Sequence, residues 1–66
     1  MKEQGTVKWF DPSKGYGFIE CLTGPDAFVH WNDIVGDKNL MTIGLAVEFD
    51  LVNTAKGLRA LNVRPL

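Results

Sequence analysis

Tyr16, Phe18, Phe28 and His30 occupy alternate positions in two short segments, Tyr16 to Leu22 (YGFIECL) and Ala27 to Trp31 (AFVHW). Alternate side chains of a strand share a face, so both segments direct flat rings to one side. Glu20 and Asp26 fall on that same face, and rings mixed with carboxylates mark a surface rather than an interior. Aromatics on strands usually fill cores, and a lone histidine is usually structural; here the acidic neighbours tip both readings towards a ligand-facing sheet. The chemistry open to such a sheet is stacking on a flat π-system such as an unpaired base, which contributes on the order of 1–3 kcal/mol per base.

The same alternation argues against catalysis. His30 is the only histidine and Cys21 the only cysteine, and Cys21 sorts with Gly17 and Ile19 on the opposite face from His30. A Cys–His dyad is therefore geometrically poor. Asp26 and His30 can pair, but no nucleophile or oxyanion-hole signature accompanies them, so the chain is expected not to be an enzyme. A single thiol allows no internal disulfide and no structural zinc site, and no metal or cofactor is expected. Cys21 reads as a small buried hydrophobe.

The rings must be held by strands, and the chain divides into strands readily. Gly5 to Phe10 is the first, followed by the turn Asp11-Pro12-Ser13-Lys14-Gly15. Tyr16 to Leu22 is the second, ended by Thr23-Gly24-Pro25-Asp26, and Ala27 to Trp31 is the third. Asn32-Asp33 is expected to cap one helical turn reaching Val35, before a long loop from Gly36 to Gly44. Leu45 to Val52 alternates, with Val47, Phe49 and Leu51 opposed to Glu48 and Asp50; the turn Asn53 to Gly57 and a strand from Leu58 to Arg64 complete the chain. Five short strands with no helix of ten residues predict an all-β domain, a small five-stranded antiparallel barrel spanning residues 1–66. Adjacent Trp9 and Phe10 cannot both face outward without a bulge.

Charge limits how such a surface can work. Seven Lys and Arg against eight Asp and Glu give a net charge of −1. A duplex binder gripping phosphates is expected to be basic, so binding here must rest on rings, assisted by Lys8, Lys14, Lys56 and Arg59. For Lys56 and Arg59, an ordinary solvated charge is the competing reading. The first residues contain no apolar export stretch and no run reaches membrane-spanning length, so a cytoplasmic protein without membrane contact is expected.

Lys14-Gly15-Tyr16-Gly17-Phe18-Ile19 fits the start of the RNP1 pattern, in which a basic residue and two glycines frame base-stacking aromatics. An RNA-recognition motif needs a strand and a helix before that hexamer, and the thirteen residues preceding Lys14 read as strand and turn. With Lys8-Trp9-Phe10 before it, Asp26-Ala27-Phe28-Val29-His30-Trp31 after it, and Ala60-Leu61-Asn62-Val63 as a last strand, the chain resembles the cold-shock domain family over essentially its whole length. The resemblance implies an OB-type barrel that binds single-stranded RNA and DNA on its first three strands. It also implies an RNA chaperone and a regulator of transcription or translation in the cold. A monomer is expected, with a dimer as the alternative. Carried over residue by residue, the stacking groups are Trp9, Tyr16, Phe18, Phe28, His30 and Trp31, with Phe10 at the edge. Lys8, Lys14 and Asp26 supply polar contacts.

The chain departs from that family at three places. Asp11 stands where Asn is common, Leu58 follows Gly57 where Pro is common, and Asp37-Lys38-Asn39-Leu40 replaces a loop segment that usually carries an aromatic. The first and third predict weaker binding or a shorter footprint. The competing reading is an SH3-like barrel whose aromatic groove takes a proline-rich peptide. That reading calls for acidic and aromatic residues on loops, whereas these aromatics lie on strands.

Overall fold

Strand-forming residues interrupted by turn chemistry produce β1 (Lys2–Asp11), β2 (Tyr16–Cys21), β3 (Ala27–His30), β4 (Ala46–Thr54) and β5 (Gly57–Pro65). The computed structural model describes residues 2–22 and 24–66, with Lys38 described by its backbone alone. Thr23, the first residue of the second expected turn, and Met1 lie outside the described residues. The strands close into a barrel in the order β1-β2-β3-β5-β4. Four junctions are antiparallel, as expected for the barrel. The closing junction between β3 and β5 is parallel, with Phe28 opposite Arg59. A ring of five strands cannot reverse direction at every step, so one junction must be parallel.

Each strand directs alternate residues inward. Val7, Ile19, Ala27, Val29, Val47, Phe49, Ala60 and Val63 form a core drawn from all five strands, and Ile34 and Met41 close it from the connecting segment. Cys21 is buried at its margin, where desolvation, aided by the nearby Glu3 and Asp26 carboxylates, raises its thiol above the usual range. A thiol so placed is packing material rather than a nucleophile.

Two irregularities bend the longer strands. The β1–β2 register slips between Val7 and Trp9, leaving Lys8 as the extra residue. The β4–β5 register slips between Glu48 and Asp50. Opposite that second slip Asn62 takes φ 53°, a conformation that Asn tolerates better than most residues. Its side-chain amide donates to Asp50 Oδ2 at 3.0 Å, and this bond holds the Asp50 carboxyl below its usual range.

Between β3 and β4 the expected helical turn is a 3-10 turn at Trp31–Asp33, capped by His30 rather than by Asn32 or Asp33. The long loop contains a second 3-10 turn at Lys38–Leu40. Among the described residues no helix is long and apolar enough to cross a membrane.

Candidate nucleic-acid interface

The bulge at Lys8 decides what β1 contributes. With Val7 inward, uninterrupted alternation sends Trp9 to the core and Phe10 to solvent. The extra residue reverses both. Trp9 sits opposite Phe18 on the outer face, and Phe10 sits opposite Gly17, half-buried and packed against the core. Of the two adjacent rings, Trp9 is therefore the one presented outward. Phe10 serves as a wedge beneath the sheet.

Gly17 makes room for that wedge. A Cβ built on Gly17 falls 2.6 Å from Phe10 Cα and 2.9 Å from its Cδ1. Gly15 is constrained twice: its φ is +81°, and a Cβ there falls 2.6 Å from Trp31 Cδ1. The Trp31 ring thus lies against the turn that precedes β2, and Trp31 N–H donates to Gly15 O at 2.8 Å.

On the outer face four rings form a closed circuit. Trp9 meets Tyr16 at 5.7 Å between centroids, Tyr16 meets Phe28 at 6.0 Å, Phe28 meets Phe18 at 5.7 Å, and Phe18 returns to Trp9 at 5.5 Å. All four distances lie within the range of favourable ring contacts. Tyr16, Phe18 and Phe28 are half-buried, and Trp9 remains 38% exposed. Beyond the quartet His30 and Trp31 make a second platform, with centroids 5.9 Å apart. Because β3 ends at His30, Trp31 escapes the alternation that sends it inward in a longer strand, and it stays 49% exposed. His30 Nδ1 accepts a long hydrogen bond of 3.4 Å from Asn32 N–H. In the neutral ring this leaves the proton on Nε2.

The polar residues are distributed around these rings. Lys8 Nζ pairs with Asp26 Oδ2 at 2.8 Å, and that bond raises the Lys8 pKa above its ordinary value. Lys14 is exposed in the β1–β2 turn. The Asp11 carboxylate organises that turn, accepting from Ser13 N–H at 2.9 Å and Lys14 N–H at 3.3 Å. Lys56 is exposed at the tip of the β4–β5 hairpin, where Thr54 Oγ1 donates to Gly57 O at 2.7 Å.

One feature lay beyond sequence reasoning. A cleft of about 850 Å³ runs beside the quartet, with Phe18, Phe28 and Asp26 on one wall and Asn53, Thr54, Lys56, Leu58 and Arg59 on the other. Its second wall comes from a hairpin distant in the chain, so only barrel closure brings the two together. Lys56 and Arg59 carried a signal as candidate cations. Asn53 reads only as a turn residue, and Leu58 only as a strand residue that departs from the family pattern.

Comparisons with known proteins match nearly the whole chain. Residues 3–66 match the family described as the "'Cold-shock' DNA-binding domain". A cold shock-like protein of Aquifex aeolicus is 54% identical over all of this chain and 97% of that protein. Cold shock protein CspC of Bacillus subtilis is 48% identical over 94% of this chain and 96% of its own. Among solved structures, "drosophila Unr CSD456" superimposes with a TM-score of 0.83 at 25% identity, over all of this chain and 27% of that one. With a closed five-stranded barrel, an outward ring quartet and the family pattern running through nearly every residue, the chain belongs to the cold-shock DNA-binding domain family.

Proposed function

We propose that this protein binds single-stranded RNA and DNA across the outer faces of β1, β2 and β3. In the cytoplasm it then acts as an RNA chaperone and as a regulator of transcription or translation in the cold. The observation that carries the reading is the pair of aromatic platforms, Trp9–Tyr16–Phe28–Phe18 and His30–Trp31, standing outside a core that does not need them. Bases in a duplex have no free π-face to offer, whereas unpaired bases have two. A protein that binds only unpaired strands shifts the melting equilibrium towards them by mass action. Net charge −1 fits the same reading, because stacking tolerates an acidic protein in a way that phosphate clamping does not.

Trp9 and Trp31 supply the assay. An oligo-dT or oligo-U of about six or seven nucleotides, within the site size of one OB fold, is expected to quench their fluorescence and to bind at least about tenfold more tightly than a matched duplex. Equal affinity for the two would remove stacking as the basis of recognition.

Asp11 provides a finer test. Asp11→Asn keeps the oxygen that accepts from Ser13 and Lys14 and deletes one negative charge beside the β1–β2 turn. One charge about 10 Å from a phosphate in water is worth roughly 0.4 kcal/mol, so binding is expected to tighten about twofold at low salt. The gain is expected to fade near 0.15 M salt, where such charges are screened. An unchanged affinity at low salt would place the bound strand away from this turn.

A further inference from the structure

Arg59 lies opposite Phe28 at the rung that closes the barrel and lines the cleft beside the quartet, and its guanidinium is engaged by a carboxylate. Nε and Nη2 both contact Asp33 Oδ2, at 3.0 Å and 2.9 Å. The Asp33 side chain is only 11% exposed, and it belongs to the 3-10 turn that begins with Trp31. Backbone bonds also fasten that turn: Trp31 N–H to Gly15 O at one end, and Val35 N–H to Val63 O just past the other. Arg59–Asp33 adds a side-chain tie between the turn and β5, the strand that flanks β3 beside the quartet. A carboxylate so nearly buried needs its partner, since an unmatched charge there is costly.

We infer that Arg59 is a positioning residue: acting through Asp33, it fixes the Trp31–Asp33 turn and so sets where the His30–Trp31 platform stands relative to the ring quartet. This rests on the single-strand reading above. It assigns Arg59 a different task from the phosphate contact that its charge suggests, because the guanidinium is already committed to a carboxylate. The inter-platform distance governs how many consecutive bases a single strand can stack at once, so the pair tunes the footprint.

The two roles predict opposite signs for one substitution. Asp33→Asn removes an anion and releases the guanidinium. If Arg59 meets phosphate directly, binding tightens. If Arg59 positions the turn, binding to long strands weakens although the protein has become more basic. The measurement uses oligo-dT of about four and about seven nucleotides, spanning the short end of OB-fold site sizes, at about 0.15 M salt to suppress long-range charge effects. For the parent, lengthening the strand adds affinity. For Asp33→Asn the longer strand is expected to lose about three- to tenfold, a partial loss of one stacking platform, while the shorter one changes by less than about twofold. In a Trp9→Phe background, the emission of Trp31 is expected to shift on Asp33→Asn before any ligand is added.

If the parent binds neither oligonucleotide, the single-strand reading itself fails. If the parent binds and Asp33→Asn holds the longer strand as tightly or more tightly, the positioning role is overturned. Should Asp33→Asn not fold, the exchanged pair Asp33→Arg with Arg59→Asp decides. Length-dependent binding close to that of the parent supports positioning. A folded exchange that has lost it, or an exchange that also fails to fold, overturns it.

Discussion

Phe28→Ala is expected to weaken binding of unpaired strands by about 1–3 kcal/mol and to leave a folded barrel. Both halves of that expectation come from where the ring sits. Phe28 points outward from β3 between Ala27 and Val29, which are buried and carry the packing of that strand. Removing the ring opens no cavity in the core, so the steep cost of a buried large-to-small change does not apply. Phe28 is also the member of the quartet that touches both Tyr16 and Phe18 while lining the adjacent cleft. Its loss removes a stacking surface and the lateral support of two others, which places the effect towards the upper end of the range. Thermal unfolding followed by circular dichroism tests the fold, and Trp quenching by oligo-dT tests the affinity. A variant that binds like the parent, or one that unfolds, would show that the ring is structural.

The residues that face out from β2 and β3 were readable in the sequence because alternation is a local rule. It sorted Tyr16 and Phe18 from Gly17, Ile19 and Cys21, and Phe28 and His30 from Ala27 and Val29, and the burial of each set agrees. The rule fails where geometry departs from it. The bulge at Lys8 turns Trp9 and Phe10 over, and nothing in Val7-Lys8-Trp9 announces which of the three residues is the extra one. The end of β3 was read one residue too far, since Trp31 is a good strand former whose place in a turn depends on Gly15 O at the start of the neighbouring strand. Parallel closure, the cleft beside the hairpin and the Arg59–Asp33 tie share a cause: each joins segments remote in sequence. Local composition holds no record of such meetings. The family resemblance reached further than alternation because it compares the whole pattern at once, and even so it carried no expectation for Asp33.

Gly17→Ala is the substitution expected to disturb fold and site together. If Gly17 serves only as a flexible residue, alanine should be neutral or should stabilise by roughly 0.4–1 kcal/mol, because it restricts the unfolded chain. The close approach of β1 predicts the opposite sign. A methyl group at this position meets the Phe10 Cα at 2.6 Å and lies closer still to the Trp9 carbonyl oxygen. Both are backbone atoms, which cannot step aside by changing rotamer. The strands must part, and overpacking of this kind costs about 1–3 kcal/mol, more than the entropic gain. In a 66-residue chain, whose small core leaves little stability in reserve, that shift is expected to lower the unfolding midpoint visibly. The strain also falls one rung from the Trp9–Phe18 pair, so separating β1 from β2 widens the seam on which two of the four rings meet. Folded Gly17→Ala is therefore expected to bind oligo-dT more weakly than the parent, with Trp9 emission altered before ligand is added. A variant as stable as the parent, with unchanged Trp9 emission, would mean that the strands have room there and that Gly17 is dispensable to the platform.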